Sequence, residues 1–310
     1  MFEPARSPFF GTRPAAQAPK ADAVLFGAPH GTPYDGIANT PFASAPDALR
    51  EALAEDVGWE HHWDFDLDGP LLNDSSFVAA DAGNLKTSPD DGPGNREQIR
   101  EAASGIVASG AVPIMLGGDD STPIPFLEAL APRGPLTILQ IDAHIDWRDE
   151  RRGEPFGFSS TMRRASEMDH VERIVQAGIR SLGSARREEV MIARDWGAEI
   201  VTARTIDSDG LDAVLRHIPD GANCAITLDC DALDAGIMPA VMAPTPGGLG
   251  FTQTIKLIHA VAQRTNLVAF DMIEFVPERD VLGTAGITAA RIVTNVIGAL
   301  ARWGGGARES

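Results

Sequence analysis

Two short segments of the chain concentrate side chains that can bind metal ions. Asp142, His144 and Asp146 follow one apolar run, and Asp229 and Asp231 follow another. Because side chains alternate along a strand, each set lies on one face of its segment. Carboxylates and an imidazole suit hard or borderline divalent metals, and five ligands are too many for one structural zinc. If the two strand ends converge, they would form a binuclear centre that turns water into a nucleophile.

Acidic residues are also common in ordinary turns that follow strands, so one such segment would be weak evidence. Two segments with period-two carboxylates after buried-strand patterns favour the metal interpretation. The loop Gly-Gly-Asp-Asp-Ser at 117–121 adds a further candidate ligand, Asp120. Its glycine pair would let the backbone approach a metal or substrate closely, although a simple Gly-Asp turn has the same composition.

The rest of the chain alternates apolar strands with helical segments, which is typical of an α/β protein with a mostly parallel sheet covered on both faces. In such sheets the functional groups collect at the carboxyl ends of the strands. Residues 63–95 are polar and predict at most one short strand. Strands are predicted at 23–27, 112–116, 136–141, 173–177, 199–202, 224–229 and 267–271. Helices are predicted at 45–56, 96–109, 122–131, 186–196, 208–217, 251–264 and 285–302.

Composition narrows the class of protein. The formal net charge of −18 argues against nucleic acid or an acidic membrane surface as the main partner. We find no secretory leader and no apolar run long enough to span a bilayer, so a cytoplasmic protein is expected. Cys224 and Cys230 form no disulfide framework, and alternation turns the Cys230 thiol into the core.

The expected organisation is an arm at 1–21, a single catalytic domain at 22–304 and a tail at 305–310. The arm lacks periodicity and is expected either to pack on a neighbouring chain or to remain mobile.

Five motifs in this order resemble the ureohydrolase family of arginases and agmatinases, from about residue 22 to 302. The resemblance implies a three-layer α/β/α fold, a homo-oligomer (trimer or hexamer) and two divalent ions per chain, manganese or alternatively nickel. It also implies hydrolysis of a small cationic guanidino substrate to urea and an amine by a metal-bridging hydroxide. The motifs are Gly-Gly-Asp-Asp-Ser (117–121), Asp-Ala-His-Ile-Asp (142–146), Leu-Asp-Cys-Asp-Ala-Leu-Asp (228–234), Pro-Thr-Pro-Gly-Gly-Leu (244–249) and Asp-Met-Ile-Glu-Phe-Val-Pro (271–277).

The resemblance also implies a role for each site residue. Asp142 and Asp229 would bridge both metals. His144 and Asp231 would complete one metal site, and Asp146 and Asp120 the other. Asp146 would also carry a proton during catalysis. Glu274 would pair with the substrate guanidinium, a geometry that charge-assisted hydrogen bonds favour; the alternative is an ordinary strand-end glutamate. Asp234 is expected to orient its loop rather than bind metal.

The chain departs from the family pattern at two positions. Asp120 stands where the family usually has histidine, which keeps a ligand but adds negative charge. Phe158 occupies the histidine position of an agmatinase segment. Trp147 and Phe158 either form an aromatic wall for the substrate or pack in the core. Of the remaining histidines, His30 alone is expected to approach the site, because it follows the first strand.

The leading hypothesis is therefore an amidinohydrolase that acts on an agmatine-like compound or a guanidino acid. A guanidino acid would call for a cationic wall, to which Arg148 could contribute. The pairs Arg151–Arg152 and Arg163–Arg164 are expected at the surface or at subunit contacts. The alternatives are a hydrolase of formimino groups on the same scaffold and a non-catalytic homologue that serves as an assembly subunit.

Overall fold

A computed structural model describes residues 2–183 and 185–304 of the chain. Strands and helices alternate through most of that length, as the apolar runs predict. The strands are β1 (Phe2–Glu3), β2 (Arg13–Pro14), β3 (Ala23–Ala28), β4 (Ala79–Leu85), β5 (Val112–Gly117), β6 (Leu136–Ile141), β7 (Val171–Ile179), β8 (Glu199–Thr202), β9 (Asn223–Asp229) and β10 (Asn266–Ile273). The helices are α1 (Ala45–Glu51), α2 (Gly92–Ala108), α3 (Pro123–Glu128), α4 (Thr161–Ala165), α5 (Arg187–Trp196), α6 (Ala203–Asp209), α7 (Asp212–Leu215), α8 (Phe251–Arg264) and α9 (Thr284–Trp303).

The strands form one sheet in the order β1-β4-β3-β5-β10-β9-β6-β7-β8, and β2 also pairs with β4. Every neighbouring pair from β4 to β8 is parallel, whereas β1 runs antiparallel to β4. The predicted mostly parallel α/β sheet is therefore confirmed. Strands β5, β10, β9 and β6 lie side by side at its centre, so the loops that follow them meet at one edge.

Side chains that alternate along the strands divide the interior into two cores, one on each face of the sheet. In β6, Leu139 and Ile141 pack with the core under α1, α8 and α9, whereas Leu136 and Ile138 pack with the core under α2, α3 and α5. Full burial of such side chains stabilises the fold by about 1.5–3 kcal/mol each. The result is the three-layer α/β/α architecture.

Several predicted elements differ from the structure. The arm packs against its own chain: β1 and β2 pair with β4, and Phe9 and Phe10 are buried. The expectation of a mobile arm was wrong for residues 2–21, whereas contact of the arm with a neighbouring chain stays a prediction. Strand β4 was missed beyond a hint of one short strand, because polar residues interrupt its apolar pattern. The helix predicted at 208–217 is divided between α6 and α7, which Gly210 separates at a φ of 75°.

Helix α9 corrects the prediction that the chain lacks a segment of membrane-spanning length and hydropathy. By length and composition alone, its 20 residues could cross a membrane, but 72% of this apolar stretch is buried inside the protein. A helix that is apolar on most of its surface is expected where it packs within a large core. The predicted tail at 305–310 lies outside the described residues.

Candidate metal centre and its cavity

The candidate ligands come together at the carboxyl ends of the four central strands. Asp120 follows β5, the Asp142–Asp146 segment follows β6, Asp231 follows β9 and Glu274 follows β10. The glycine pair after β5 permits this convergence, because a Cβ on Gly118 would lie 2.7 Å from the Pro29 carbonyl oxygen. The Gly118 carbonyl in turn accepts a hydrogen bond of 2.9 Å from the Glu274 backbone N–H. The close backbone approach thus joins the end of β5 to the loop after β3, and the hydrogen bond joins it to the end of β10.

Asp142, His144 and Asp231 form the first group of candidate ligands, with their ligand atoms within 4.8 Å of one another. His144 Nδ1 lies 3.1 Å from Asp231 Oδ2 and 3.6 Å from Asp142 Oδ1. Burial opposes protonation of the imidazole, but the hydrogen bond and the charge of Asp231 outweigh it and raise the pKa of His144. The ring therefore lies in a negative field that a cation would satisfy as well as a proton.

Asp120, Asp142 and Asp146 form the second group, so Asp142 belongs to both. The Asp120 Oδ2 atom is buried and has no hydrogen-bond partner among the described residues. A buried carboxylate oxygen without a partner is costly, and a bound cation would remove that cost. Asp229 lies beside both groups, where its Oδ1 accepts a bond of 2.7 Å from the Asp231 N–H. The geometry fits divalent ions, and the division of ligands between two ions stays a prediction.

Electrostatics point to the same conclusion. Burial, followed by the charges of Asp146 and Asp229, raises the pKa of Asp120 well above its ordinary value. The same causes raise the pKa of Asp142, and burial and Asp231 raise that of Asp229. Carboxylates crowded in a buried space repel one another, so they ionise together only when cations neutralise them. The cluster of buried carboxylates is therefore suited to bind divalent cations.

Glutamine side chains fix two of the candidate ligands from behind. Gln140 Nε2 donates to Asp142 Oδ2 at 2.7 Å and to Asp146 Oδ2 at 2.8 Å. Gln176 Nε2 donates to Gln140 Oε1 at 2.5 Å, and Trp147 Nε1 donates to Gln176 Oε1 at 3.2 Å. This chain sets the orientation of the Gln140 amide, and thereby holds both carboxylates in place.

Two site residues adopt left-handed backbone conformations that are uncommon outside glycine. Asp146 has a φ of 49° and Glu274 a φ of 64°. Each conformation costs about 1 kcal/mol or more, and such strain clusters at functional sites. The Glu274 carboxylate is held in turn by the Asp120 backbone N–H, which donates to Oε1 at 3.0 Å. Burial and Asp119 raise the pKa of Glu274 well above its ordinary value.

The floor of a cavity of about 350 Å³, a volume that suits a small molecule, is lined by five candidate ligands: Asp120, His144, Asp146, Asp229 and Asp231. Its rim comes from the loops that follow β3, β6, β7 and β9. Rim residues include Tyr34, Asn39, Phe42, Arg148, Arg151, Phe158, Leu182 and Met242.

The predicted substrate-contacting residues differ in whether they line the cavity. Phe158 lines the cavity, with its ring centroid 4.7 Å from that of Tyr34. Trp147 is 1% exposed and packs in the core against Trp196, so the structure favours the core-packing alternative for this residue. His30 does not line the cavity, and its Nδ1 lies 2.9 Å from Thr87 Oγ1 instead.

Two arginines of the site were missed or misjudged. Arg151 was expected at the surface or a subunit contact; it is half-buried and lines the cavity, and a subunit contact stays a prediction. Arg180 was overlooked, although it donates to the carbonyls of Asp231 at 2.6 Å and Thr245 at 2.7 Å and so fixes the loop after β9. Its position at the end of β7 was the available signal. Asp234 orients its loop as predicted by accepting bonds of 2.9 Å from the Gly236 and Gly247 N–H groups.

The fold and the site together define an α/β/α protein with a carboxylate-rich centre for divalent metal ions. Residues 21–298 match the Arginase family, and the chain belongs to that family. The predicted resemblance to arginases and agmatinases is thereby confirmed.

Named relatives cover most of the chain. It is 31% identical to an agmatinase of Pyrococcus horikoshii, over 93% of this chain and 95% of that protein. It is 29% identical to the mitochondrial guanidino acid hydrolase of Homo sapiens, over 73% of this chain and 65% of that protein. The solved structure of proclavaminate amidino hydrolase from Streptomyces clavuligerus has a TM-score of 0.82 and 26% identity, and the match covers 97% of this chain and 99% of that one.

Proposed function

We propose that this protein is a binuclear-metal amidinohydrolase that converts a guanidino compound, agmatine-like or a guanidino acid, to urea and an amine. The observation that carries the proposal is the arrangement of two overlapping ligand groups beside Glu274 in one cavity. A carboxylate beside a metal centre is suited to hold a guanidinium next to an activated water. The family membership supports the same reaction class.

Different residues of the site would have different roles in the reaction. Bound divalent ions would supply Lewis acidity and lower the pKa of water at the site. The ions would be held by His144 and five carboxylates, those of Asp120, Asp142, Asp146, Asp229 and Asp231. Glu274 would orient the guanidinium through its carboxylate, whose Oε1 is already fixed by the Asp120 N–H.

Asp146 is the group proposed to take and return the proton. Its carboxylate lines the cavity and accepts a hydrogen bond of 2.8 Å from Gln140 at Oδ2. Burial raises its pKa, with the charge of His144 and the hydrogen bonds from its neighbours opposing the rise. Its position at the cavity would let this carboxylate exchange a proton with water or substrate there.

We further propose manganese as the native metal, with nickel as the alternative, and a cytoplasmic homo-oligomer, trimer or hexamer, as the working form. Carboxylate-rich sites favour hard ions such as manganese. Side chains such as Val281 and Leu282 are exposed on the isolated chain, which supports burial against another copy. Light scattering of the purified protein tests the assembly directly.

The test of function is urea release from a panel of guanidino compounds by protein reconstituted separately with manganese and nickel. The panel includes agmatine, arginine, guanidinobutanoate and guanidine, together with formiminoglutamate as the formimino control. Urea from a guanidino compound supports the proposal. If only formiminoglutamate is hydrolysed, with release of formamide, the hypothesis of a formimino-group hydrolase replaces the proposal. If the chain binds no metal, the hypothesis of a non-catalytic homologue replaces it.

A further inference from the structure

The cavity has two chemically different ends. Its floor is acidic, formed by the candidate ligands and Glu274, whereas its rim includes the arginines Arg148 and Arg151. Both arginines belong to the loop after β6, which also carries Asp146. One loop thus joins the candidate proton carrier to a cationic wall. In a chain with a net charge of −18, two arginines at one cavity require an explanation.

Arg151 is held in the wall by aromatic rings. Its Cζ lies 5.2 Å from the ring centroid of Tyr34 and 5.6 Å from that of Phe158. The Tyr34 hydroxyl lies 3.0 Å from Ser159 Oγ and accepts a bond of 3.1 Å from the Ser159 N–H, so that ring is fixed. The backbone of Arg151 pairs with Glu154 through two hydrogen bonds of 3.1 Å. Ring contacts of this kind orient a guanidinium and leave its N–H edge free to donate.

Arg148 has unused hydrogen-bonding capacity at the same wall. Its Nη2 donates to the Gly183 carbonyl at 3.3 Å, while its Nε is buried without a partner among the described residues. Within residues 2–183 and 185–304, no carboxylate lies within 4.0 Å of the guanidinium nitrogens of Arg148 or Arg151, in contrast to Arg163 and Arg164, which pair with Asp149 and Glu167. The two cavity arginines therefore lack the anionic partner that a guanidinium favours.

We propose that Arg148 and Arg151 form an anion subsite that binds a carboxylate at the end of the substrate opposite its guanidinium. The substrate class is then the ω-guanidino carboxylic acids, rather than amines such as agmatine. This inference rests on the proposed function for the position of the guanidinium at Glu274. An ammonium tail would meet two like charges at the rim, whereas a carboxylate would gain charge-assisted hydrogen bonds.

The experiment compares a guanidino acid with its own uncharged amide. Guanidinobutanoate and its primary amide have nearly the same size and the same guanidinium, so their ratio of kcat/KM isolates the tail charge. The manganese-loaded wild type is compared with Arg148→Gln and Arg151→Gln. Arg163→Gln is the matched control, because it removes an equal charge from a nearby arginine that pairs with Glu167 outside the cavity.

The wild type is expected to prefer the acid over the amide, and each cavity variant to reduce that preference by about 10- to 100-fold, the usual effect of losing a hydrogen bond to a charged group. Arg163→Gln should leave the preference unchanged. Arg151→Glu should shift the preference towards agmatine. If Arg151 served only to pack the rings, acid and amide would lose activity equally, and the subsite would be refuted.

Equilibrium binding separates this inference from the proposed function. Calorimetry should give a lower Kd for the acid than for the amide with the metal-loaded wild type, and a smaller difference between the two Kd values with Arg151→Gln. This difference is expected even if neither compound releases urea, in which case the proposed function fails and the subsite stands. Conversely, urea release with equal Kd values for the acid and the amide in the wild type would leave the function standing and overturn the subsite.

Discussion

The floor and the rim of the cavity are formed by different kinds of segment of the chain. The floor consists of short polar motifs directly after the central strands β5, β6, β9 and β10, and its carboxylate ligands are almost fully buried. The rim consists of side chains from longer loops, among them Tyr34, Arg151 and Met242. A rigid sheet holds the catalytic groups in fixed positions, whereas a change in the loops can alter which substrate is bound without moving those groups. The division suggests that floor residues set the reaction and rim residues set the substrate tail.

Replacement of Asp142 by asparagine should have the largest effect, because this carboxylate belongs to both ligand groups. We expect a loss of metal from the protein and a fall in kcat/KM of about 1,000-fold or more. Metal content by mass spectrometry and urea release measure the two effects. The exposed Asp207→Asn variant serves as the control and should match the wild type. Full metal content in Asp142→Asn would contradict the assignment of the floor.

Asp120→Ala should reduce metal binding less than Asp142→Asn does. Because Asp120 belongs to only one ligand group, we expect about one ion fewer per chain and a weaker affinity, about 10- to 100-fold, for that ion. Asp120→His should restore the ion with a nitrogen ligand. Full metal content after the alanine replacement would rule out Asp120 as a ligand.

Phe158→Leu and Trp147→Phe test whether the rim acts separately from the core. Phe158→Leu should raise KM by about 3- to 10-fold at unchanged Tm, since the lost ring contact lies at the cavity. Trp147→Phe loses the buried hydrogen bond to Gln176, so we expect destabilisation of about 1–3 kcal/mol with little change in KM. Identical effects of both variants on KM would remove the distinction.

Asp271 offers the smallest and most specific prediction, a dependence of stability on pH. Burial raises the pKa of Asp271 to about 8, while its hydrogen bond from Thr227 opposes the rise. The folded protein therefore binds this proton more tightly than the unfolded chain does. Stability falls as pH rises from the ordinary value of 3.8 towards about 8.

Asp271→Asn, which stays neutral, should remove that fall. We expect a Tm near that of the wild type at pH 4 and a Tm higher by a few degrees at pH 8. Thermal unfolding of metal-loaded protein at both pH values measures the difference. A variant that is equally destabilised at both would show that the buried carboxyl is not protonated in the native state.

Much of the floor could be predicted from sequence because its residues lie in alternation directly after apolar strands. Strand periodicity, with the rule that parallel strands place their carboxyl ends together, was sufficient to predict Asp142 and Asp229 as site residues. The role of Glu274 was predicted from the family resemblance. The α/β sheet followed from the same alternation. The edge strand β4 did not, since its polar residues hide the strand pattern.

The rim could not be predicted in the same way. Whether Arg151 faces solvent or the cavity depends on the path of its loop, and Tyr34 comes from a segment more than 100 residues away in sequence. Trp147 directly follows a metal motif, yet its indole packs in the core. Neighbouring positions in an irregular loop thus have no fixed periodicity from which to infer direction.

The most direct test of the account is a titration of urea release against manganese equivalents per chain, starting from protein stripped by a chelator. With guanidinobutanoate as substrate, we predict negligible release without metal and a plateau near two equivalents. Urea release that does not depend on added metal, or no release at any ratio with any guanidino compound, would contradict the assignment of this cavity as a binuclear amidinohydrolase site.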